Sequence, residues 1–81
     1  QLTREQMATV VARYLTALGL AGTDVQPSDY KDQPRISSWA VTGVALCTQE
    51  GILQGTNGAF LPKGKLTRAQ LAQILYRLSE I

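Results

Sequence analysis

Near the start of the chain, apolar residues recur every three or four positions, which is the spacing of one face of an α-helix. They are Met7, Val10, Val11, Tyr14, Leu15 and Leu18. Gly19 follows them and is a residue type that commonly ends helices. The pattern predicts a helix over residues 3–18 whose apolar face, from Met7 to Leu18, is buried against the rest of the protein.

Two further helices follow from the same kind of pattern. Leu71, Ile74, Leu75 and Leu78 share a face and predict a helix over residues 67–80. Between the two, a segment over residues 38–50 is apolar most of the way round, which indicates a helix buried on several sides. Gly43 lies within this segment although glycine weakens a helix. Its lack of a side chain suggests a point where another backbone comes close.

The two connecting segments predict ordered loops. Residues 20–35 are long for a loop without structure, so we expect Val25 and Tyr30 to hold them in place, with a single helical turn between the two. In residues 51–66, the pair Asn57-Gly58 is a strong turn signal and permits a minimal two-stranded bridge. The predicted fold class is all-α: a small three-helix bundle with long ordered loops.

A helix start is written twice in this chain. LTREQMATVVARY, from residue 2, returns 64 residues later as LTRAQLAQILYRL, with six positions identical in register. Both copies carry a capping box, which pairs Thr3 with Gln6 and Thr67 with Gln70. In such a box the threonine side chain accepts a hydrogen bond from the backbone amide of the glutamine. The glutamine side chain accepts one from the backbone amide of the threonine.

Composition removes most catalytic and metal chemistry. The 81 residues include no histidine and a single cysteine, Cys47. The residues normally needed for a catalytic triad, a zinc site or an intrachain disulfide are therefore missing. Asp24, Asp29 and Asp32 do not have the spacing of an EF-hand calcium loop. We therefore expect no catalytic residue, no metal and no cofactor, with Cys47 as a small buried apolar side chain.

Charge and hydropathy set limits on partners. The net charge is +2 and the basic residues are scattered, which is a weak footprint for nucleic acid. The chain has no apolar run approaching the roughly 20 residues of a membrane-spanning helix. We therefore expect neither nucleic-acid binding nor membrane insertion.

A series of spaced elements runs in order through the second part of the chain. They are Tyr30-x-Asp32, Trp39-Ala40, Val44-Ala45, Gly51-Ile52, Gly55, Asn57-Gly58-x-Phe60-x-Pro62 and Leu66-Thr67-Arg68-Ala69-Gln70. This series closely resembles the S-layer homology (SLH) module of bacterial cell-surface proteins. The chain departs from that pattern in carrying glutamine where the family's Thr-Arg-Ala-Glu has its acid, and Asn57 where an acidic residue is common.

The resemblance implies a domain organisation and a role. Residues 1–81 would form a single SLH-type domain, in which residues 1–19 close a preceding repeat and residues 30–81 form one full repeat. The implied role is non-catalytic, extracellular anchoring of a larger S-layer or surface protein to anionic cell-wall polysaccharide, often a polymer bearing pyruvate ketals. Neighbouring repeats, or a second copy of the chain, are the implied protein partners.

The repeated arginine is the main candidate for ligand contact. Arg68 and Arg4 occupy the first helical position, where unpaired amides and the helix dipole favour an anion such as a carboxylate. We expect Arg68→Ala, and more weakly Arg4→Ala, to reduce wall binding with thermal stability nearly unchanged. The alternative for either arginine is a solvated side chain or a pair with Asp32 or Glu50.

Four further residues are candidates for polysaccharide contact. Trp39 can stack on a sugar face, or it packs in the core or a groove wall. Gly55, Asn57 and Gly58 can present backbone amides to a ligand, or they form a plain turn.

Two other functions remain open on the sequence. The apolar middle helix is compatible with a structural protein–protein assembly module. LTRAQLAQIL also resembles the opening helix of a helix-turn-helix DNA binder, but the segment after the first copy is net negative and broken by proline.

Overall fold

The computed structural model describes residues 2–21 and 24–80 and contains three α-helices. Helix α1 spans Arg4–Ala17, α2 spans Val41–Gln49 and α3 spans Arg68–Ser79. Short 3₁₀ turns at Gln33–Arg35 and Ser38–Ala40 precede α2. Pairing among the described residues is limited to isolated β-bridges, so the all-α prediction is confirmed. None of the helices in these residues has the length and apolar character needed to cross a membrane.

Both predicted capping boxes are confirmed. At the start of α1, the Thr3 hydroxyl accepts from the Gln6 amide at 3.2 Å, and the Gln6 side chain accepts from the Thr3 amide at 2.9 Å. At the start of α3 the same two bonds join Thr67 and Gln70 at 3.1 and 2.9 Å. The two helix starts are therefore built identically at the local level.

Helices α1 and α2 cross with their backbones almost in contact. A Cβ atom placed on Gly43 would lie 3.1 Å from both the Ala8 carbonyl oxygen and the Thr9 Cα. The fully buried Cys47 thiol donates to the same Ala8 carbonyl at 3.4 Å. Burial raises the pKa of Cys47 to about 12, so its thiol stays protonated. The predictions for Gly43 and Cys47 are thus confirmed.

Phe60 anchors the long loops to the core. Its ring is fully buried, a contribution of about 1.5–3 kcal/mol, and lies 5.2 Å between centroids from the ring of Tyr30. The two carboxylate oxygens of Asp32 accept from the amides of Phe60 and Leu61, each at 2.9 Å. Burial alone would raise the pKa of Asp32, but these amide bonds hold it below its ordinary value. The Tyr30-x-Asp32 element therefore fixes the segment that follows the hairpin turn.

The loop predictions are met in part. Asn57 and Gly58 have φ values of 52° and 81°, and the flanking Thr56 and Ala59 exchange two backbone hydrogen bonds, which is a two-residue hairpin turn. The helical turn of the first loop was expected before Tyr30, but it lies at Gln33–Arg35. Pro34 lies at the start of this turn, where the fixed φ angle of proline suits a helical conformation. Residues 22–23 of that loop lie outside the described residues.

The predicted apolar faces are buried only in part. In α1, Met7, Val11 and Leu15 are buried, whereas Val10, Tyr14 and Leu18 are about half exposed. In α3, Ile74 is buried, whereas Leu71 and Leu75 are exposed. The prediction of a continuously buried face from Met7 to Leu18 is therefore wrong for α1, and the apolar face of α3 is also partly exposed.

An apolar groove between α1 and α3 accounts for the exposure of Val10, Tyr14 and Leu75. Helix α1 packs directly on α2, but only side chains bridge the wider gap to α3. The groove has a volume of about 370 Å³ and is lined by Met7, Val10, Val11, Tyr14, Leu75, Leu78 and Ser79. Among the α-helices of the described residues, α1 therefore packs closely against α2 alone.

We predict that Gly43→Ala destabilises the protein, because the added methyl group must push two helix backbones apart. Overpacking of this kind costs about 1–3 kcal/mol, and the gain in helix propensity offsets up to about 1 kcal/mol. The expected net loss in the free energy of unfolding is about 1 kcal/mol, measured by urea denaturation. Thr42→Ala, at the exposed neighbouring position, is the control and should not lower stability. A Gly43→Ala variant as stable as the parent would contradict the close crossing.

Candidate functional site

Arg4 is buried, although the sequence suggested a solvent-facing cation. Its side chain is 7% exposed, and its guanidinium donates to the carbonyl oxygens of Phe60 at 2.7 Å and Gln54 at 2.6 Å. The guanidinium carbon also lies 4.9 Å from the centre of the Phe60 ring, within the range of a cation–π contact. We call these two carbonyl groups the carbonyl cradle. Burial lowers the pKa of Arg4, and the electrostatic effects of Tyr30 and Asp32 raise it again in part. The guanidinium group remains charged, because arginine does not lose its proton in proteins.

The first amides of α1 are also engaged. The Arg4 amide donates to the Gly64 carbonyl at 2.8 Å, and the Glu5 amide donates to the Pro62 carbonyl at 3.0 Å. These bonds fasten the loop that precedes α3 to the start of α1. The expected anion site on the first helix N-terminus is therefore occupied by the protein's own backbone. The expectation that Arg4→Ala leaves stability nearly unchanged does not fit these contacts.

Glu5 forms a second buried polar contact beside Arg4. Its carboxylate is nearly inaccessible and accepts from the Ser37 amide at 2.9 Å, the Ser37 hydroxyl at 2.8 Å and the Lys63 ammonium at 2.7 Å. Burial alone would raise the pKa of Glu5, but the bonds from Lys63 and Ser37 outweigh it and hold the pKa below its ordinary value. Glu5 thus joins α1 to two segments that are distant in sequence, those of Ser37 and Lys63.

A polar pocket of about 210 Å³ opens next to the carbonyl cradle. One wall is the segment 52–56, which includes Gly55, and the opposite wall is one face of α3. That face contributes Gln70, Gln73, Ile74 and Arg77, and Arg4 completes the lining. The pocket therefore lies between two guanidinium groups, and its lining contains no carboxylate side chain.

The side chains of the pocket offer mainly hydrogen-bond donors. Arg77 donates through Nη1 to the Ile52 carbonyl at 3.3 Å, and its Nη2 has no partner among the described residues. The same holds for Nη1 of Arg4, whose other donors are used in the cradle. The Gln70 carbonyl oxygen is taken by its capping bond, which leaves its amide NH₂ as the available end. Within the described residues, the backbone amides of Gln54 and Gly55 also lack an acceptor.

The six residues proposed from the sequence as polysaccharide contacts do not form one cluster. Arg4 and Gly55 line the polar pocket. Asn57 and Gly58 form the tip of the hairpin turn, and a Cβ atom on Gly58 would lie 3.0 Å from the Cε atom of Lys31. Trp39 and Arg68 lie outside the pocket and are described below.

Trp39 is 57% exposed, so the alternative of core packing is wrong. It lies in the 3₁₀ turn before α2, and the residue of that turn that enters the core is Ala40. Arg68 is also exposed and lies beside a shallow, largely apolar depression with Leu2, Leu66, Thr67 and Leu71. The Arg68 side chain donates no hydrogen bond to a described residue and forms no ion pair with one. It therefore differs from Arg4, which is buried and bonded.

Sequence reasoning missed Arg77 and Gln73 as pocket residues. Their signal was present, because Gln70, Gln73, Ile74 and Arg77 recur at the spacing of one helix face. Arg77 is also one of the six positions identical between the two copies. This second face becomes a pocket wall only when segment 52–56 packs opposite it.

Comparison with known proteins relates these features to a family. Residues 29–72 match the family model described as the S-layer homology domain. An amylopullulanase from Thermoanaerobacterium thermosulfurigenes is 36% identical across 98% of this chain and 4% of its own length. The exoglucanase XynX of Acetivibrio thermocellus is 35% identical across 98% of this chain and 8% of its own length. The chain thus spans less than a tenth of these relatives, and no solved structure matches it significantly.

We predict unequal stability effects for the same substitution at the two repeated arginines. Arg4→Ala removes the donor of two backbone carbonyls and should lower the free energy of unfolding by about 2–3 kcal/mol. Arg68→Ala removes an exposed side chain and should change it by no more than about 0.5 kcal/mol. Urea denaturation of both variants measures the difference. Equal effects would refute a structural role that is specific to Arg4.

We also predict that Glu5 contributes stability that depends on pH. Because the pKa of Glu5 is lowered on folding, its contribution is present above the unfolded pKa of about 4.3 and is lost as pH falls through the folded pKa. Glu5→Gln should therefore be less stable than the parent near neutral pH, and the gap should narrow below about pH 4. Glu50→Gln, at an exposed carboxylate, is the control for net charge. A gap that stays constant from acid to neutral pH would contradict an ionised Glu5.

Proposed function

The chain belongs to the S-layer homology family, and from this premise we propose that its polar pocket binds an acidic group of a cell-wall polysaccharide. Domains of this family are non-catalytic modules that anchor secreted proteins at the bacterial cell surface. The proposal adds to this general role a specific location and a chemical class of ligand. The location is the space between segment 52–56 and the inner face of α3.

The observation that carries the proposal is the excess of donors in the pocket. Two guanidinium groups, two glutamine side chains and the segment 52–56 surround the space, with no carboxylate to neutralise them. Asp32 compensates only in part for the burial of Arg4, and a carboxylate bound in the pocket would offset more of the cost of burying that charge. An anionic ligand is therefore favoured over a neutral sugar alone.

The size of the pocket narrows the ligand further. Drug-sized ligands occupy pockets of roughly 300–1,000 Å³, so a space of about 210 Å³ suits a single acidic substituent with part of its sugar. Carboxylates pair with the planar guanidinium fork through two parallel hydrogen bonds. A pyruvate ketal presents such a carboxylate on a compact ring, which makes a pyruvylated polysaccharide the preferred candidate.

Trp39 and the hairpin turn are proposed as contacts outside the pocket. The exposed indole of Trp39 offers an apolar face on which a sugar ring can stack. Asn57 and Gly58 follow directly on the pocket residues Gly55 and Thr56 along the chain. A polymer longer than one residue can use these places in addition to the pocket.

The fold disfavours the DNA-binding alternative. A helix-turn-helix needs a second helix a few residues after the first, and the described part of residues 18–37 contains only the 3₁₀ turn at Gln33–Arg35. Two of the basic side chains, Arg4 and Lys63, are held in internal contacts.

We predict that Gln73→Glu weakens binding to pyruvylated cell-wall polysaccharide by about tenfold, because it places a carboxylate in the pocket; that factor corresponds to about 1.4 kcal/mol. The Gln73 side chain is exposed and makes no hydrogen bond to a described residue, so folding should be unaffected. Calorimetric titration with the purified polymer measures the effect.

The matched control for this prediction is Gln49→Glu. It makes the same change in net charge outside the pocket and keeps the oxygen that accepts from the Gln26 amide. A second arm uses the polymer after acid removal of its ketals, which should bind the parent and both variants equally weakly. If Gln73→Glu and Gln49→Glu bind the intact polymer equally, the pocket is not the site.

A further inference from the structure

The tip of the hairpin turn carries the only asparagine of this chain, Asn57, and glycine follows it directly. Both residues are exposed, and both have a positive φ. In such a pair the backbone nitrogen of the second residue can attack the side-chain amide of the first and close a five-membered ring. Glycine favours this attack most, because it has no side chain to hinder ring closure. The turn therefore combines a reactive sequence with an open position on the surface.

Both reacting groups of this attack are available in the folded protein. Among the described residues, the Gly58 amide has no acceptor, and the Asn57 side chain forms no hydrogen bond. By contrast, the Thr56 amide donates to the Ala59 carbonyl at 2.8 Å, and the Ala59 amide donates to the Thr56 carbonyl at 3.0 Å. The hydrogen bonds of the turn therefore hold its flanks and leave the Gly58 nitrogen available as a nucleophile.

Lys31 brings a positive charge to the same turn. Its amide donates to the Gly58 carbonyl at 2.7 Å, and its Cε atom would lie 3.0 Å from a Cβ atom on Gly58. The ammonium group is one bond beyond that carbon. Because the Gly58 nitrogen must lose its proton to attack, negative charge develops beside this ammonium group, and a nearby cation favours the charged form.

We propose that Asn57 is a self-modification site, which deamidates in the folded protein with Lys31 promoting the reaction. The Gly58 nitrogen bonds to Cγ of Asn57, the bond between Cγ and Nδ2 breaks, and the nitrogen leaves as ammonia with the proton that Gly58 has lost. Water then opens the succinimide ring. Attack at Cγ gives aspartate, and attack at the backbone carbonyl carbon of residue 57 gives isoaspartate. The proposal does not depend on the polysaccharide pocket.

The two products have different consequences for the turn. Aspartate leaves the backbone unchanged and suits the same two-residue turn, with its carboxylate near Lys31. Isoaspartate inserts one more carbon atom into the backbone, so Thr56 and Ala59 lose the spacing that their two hydrogen bonds require. The bond between the Lys31 amide and the Gly58 carbonyl is lost with them. In both products the net charge falls by one from its value of +2.

Incubation of the unaltered protein at mildly alkaline pH tests the proposal. Ion exchange separates the forms by charge, and peptide mapping by mass spectrometry locates the conversion of amide to acid. An isoaspartyl methyltransferase labels the isoaspartate form. The rate is measured in buffer, in urea below the unfolding transition and in denaturing urea. Because urea lowers the free energy of unfolding linearly, a reaction that requires global unfolding accelerates with each addition of urea below the transition.

We expect deamidation at Asn57 in buffer, at a rate that does not change with urea below the transition. Lys31→Gln should slow this reaction by about two- to fivefold, the effect of one exposed charge interaction, and Lys31→Arg should restore the rate. Gln54-Gly55 is the control within the same chain, because glutamine must close a six-membered ring. It should remain an amide while Asn57 reacts, and so should the Asn57→Gln variant.

Hydrogen exchange of the separated forms tests the predicted difference between the products. In the isoaspartate form, the amides of Thr56, Ala59 and Lys31 should exchange faster than in the parent, because their acceptors are lost. The Asn57→Asp variant is the matched standard for the aspartate form. It should keep the exchange rates of the parent at all three amides.

Three outcomes would overturn the proposal. The first is a folded protein in which Asn57 stays an amide while the unfolded chain reacts. The second is a rate that rises with urea below the transition, since the reaction would then belong to the unfolded chain. The third is a Lys31→Gln variant that reacts as fast as the parent, which would contradict the part assigned to Lys31. Because no polysaccharide is present, failure of the proposed ligand site would leave these results unchanged.

Discussion

The buried guanidinium of Arg4 is the contact that organises the rest of this small domain. It connects the start of α1 to two carbonyl groups that lie 50 and 56 residues further along the chain. A charged group at 7% exposure is tolerated because the carbonyl oxygens and the face of Phe60 replace the water it loses. Without it, segment 52–60 would lose its main polar tie to α1.

Neighbouring contacts depend on that placement. Asp32 holds the amides of Phe60 and Leu61, which sets the carbonyl of Phe60 in position for Arg4. Glu5, one residue further along the helix, gathers Ser37 and Lys63 on the other side. The loops are therefore ordered by polar contacts to α1 as much as by apolar packing, as expected where a small domain has little core to bury.

The same arginine links the architecture to the proposed chemistry. Two of its nitrogen atoms are used in the cradle, while Nη1 has no partner among the described residues, and Arg4 lines the polar pocket. Arg77 has the same divided role at the opposite wall, with one nitrogen on the Ile52 carbonyl. Because their positions are fixed by backbone bonds, both guanidinium groups are held in place before a ligand arrives, which reduces the entropic cost of binding.

The sequence by itself determined the helices, their capping boxes, the Asn57-Gly58 turn and the close approach at Gly43. These features depend on residues within a few positions of one another, or on the absence of a side chain, so local chemistry is sufficient to predict them. Only the tertiary structure decided that Arg4 is buried and Arg68 exposed, since both lie in the same kind of capping box. What separates them is the presence of carbonyl oxygens from a distant segment. The polar pocket could not be predicted from the sequence for the same reason. Gln73 and Arg77 lie on a recognisable helix face, but segment 52–56 forms the opposite wall only through long-range packing.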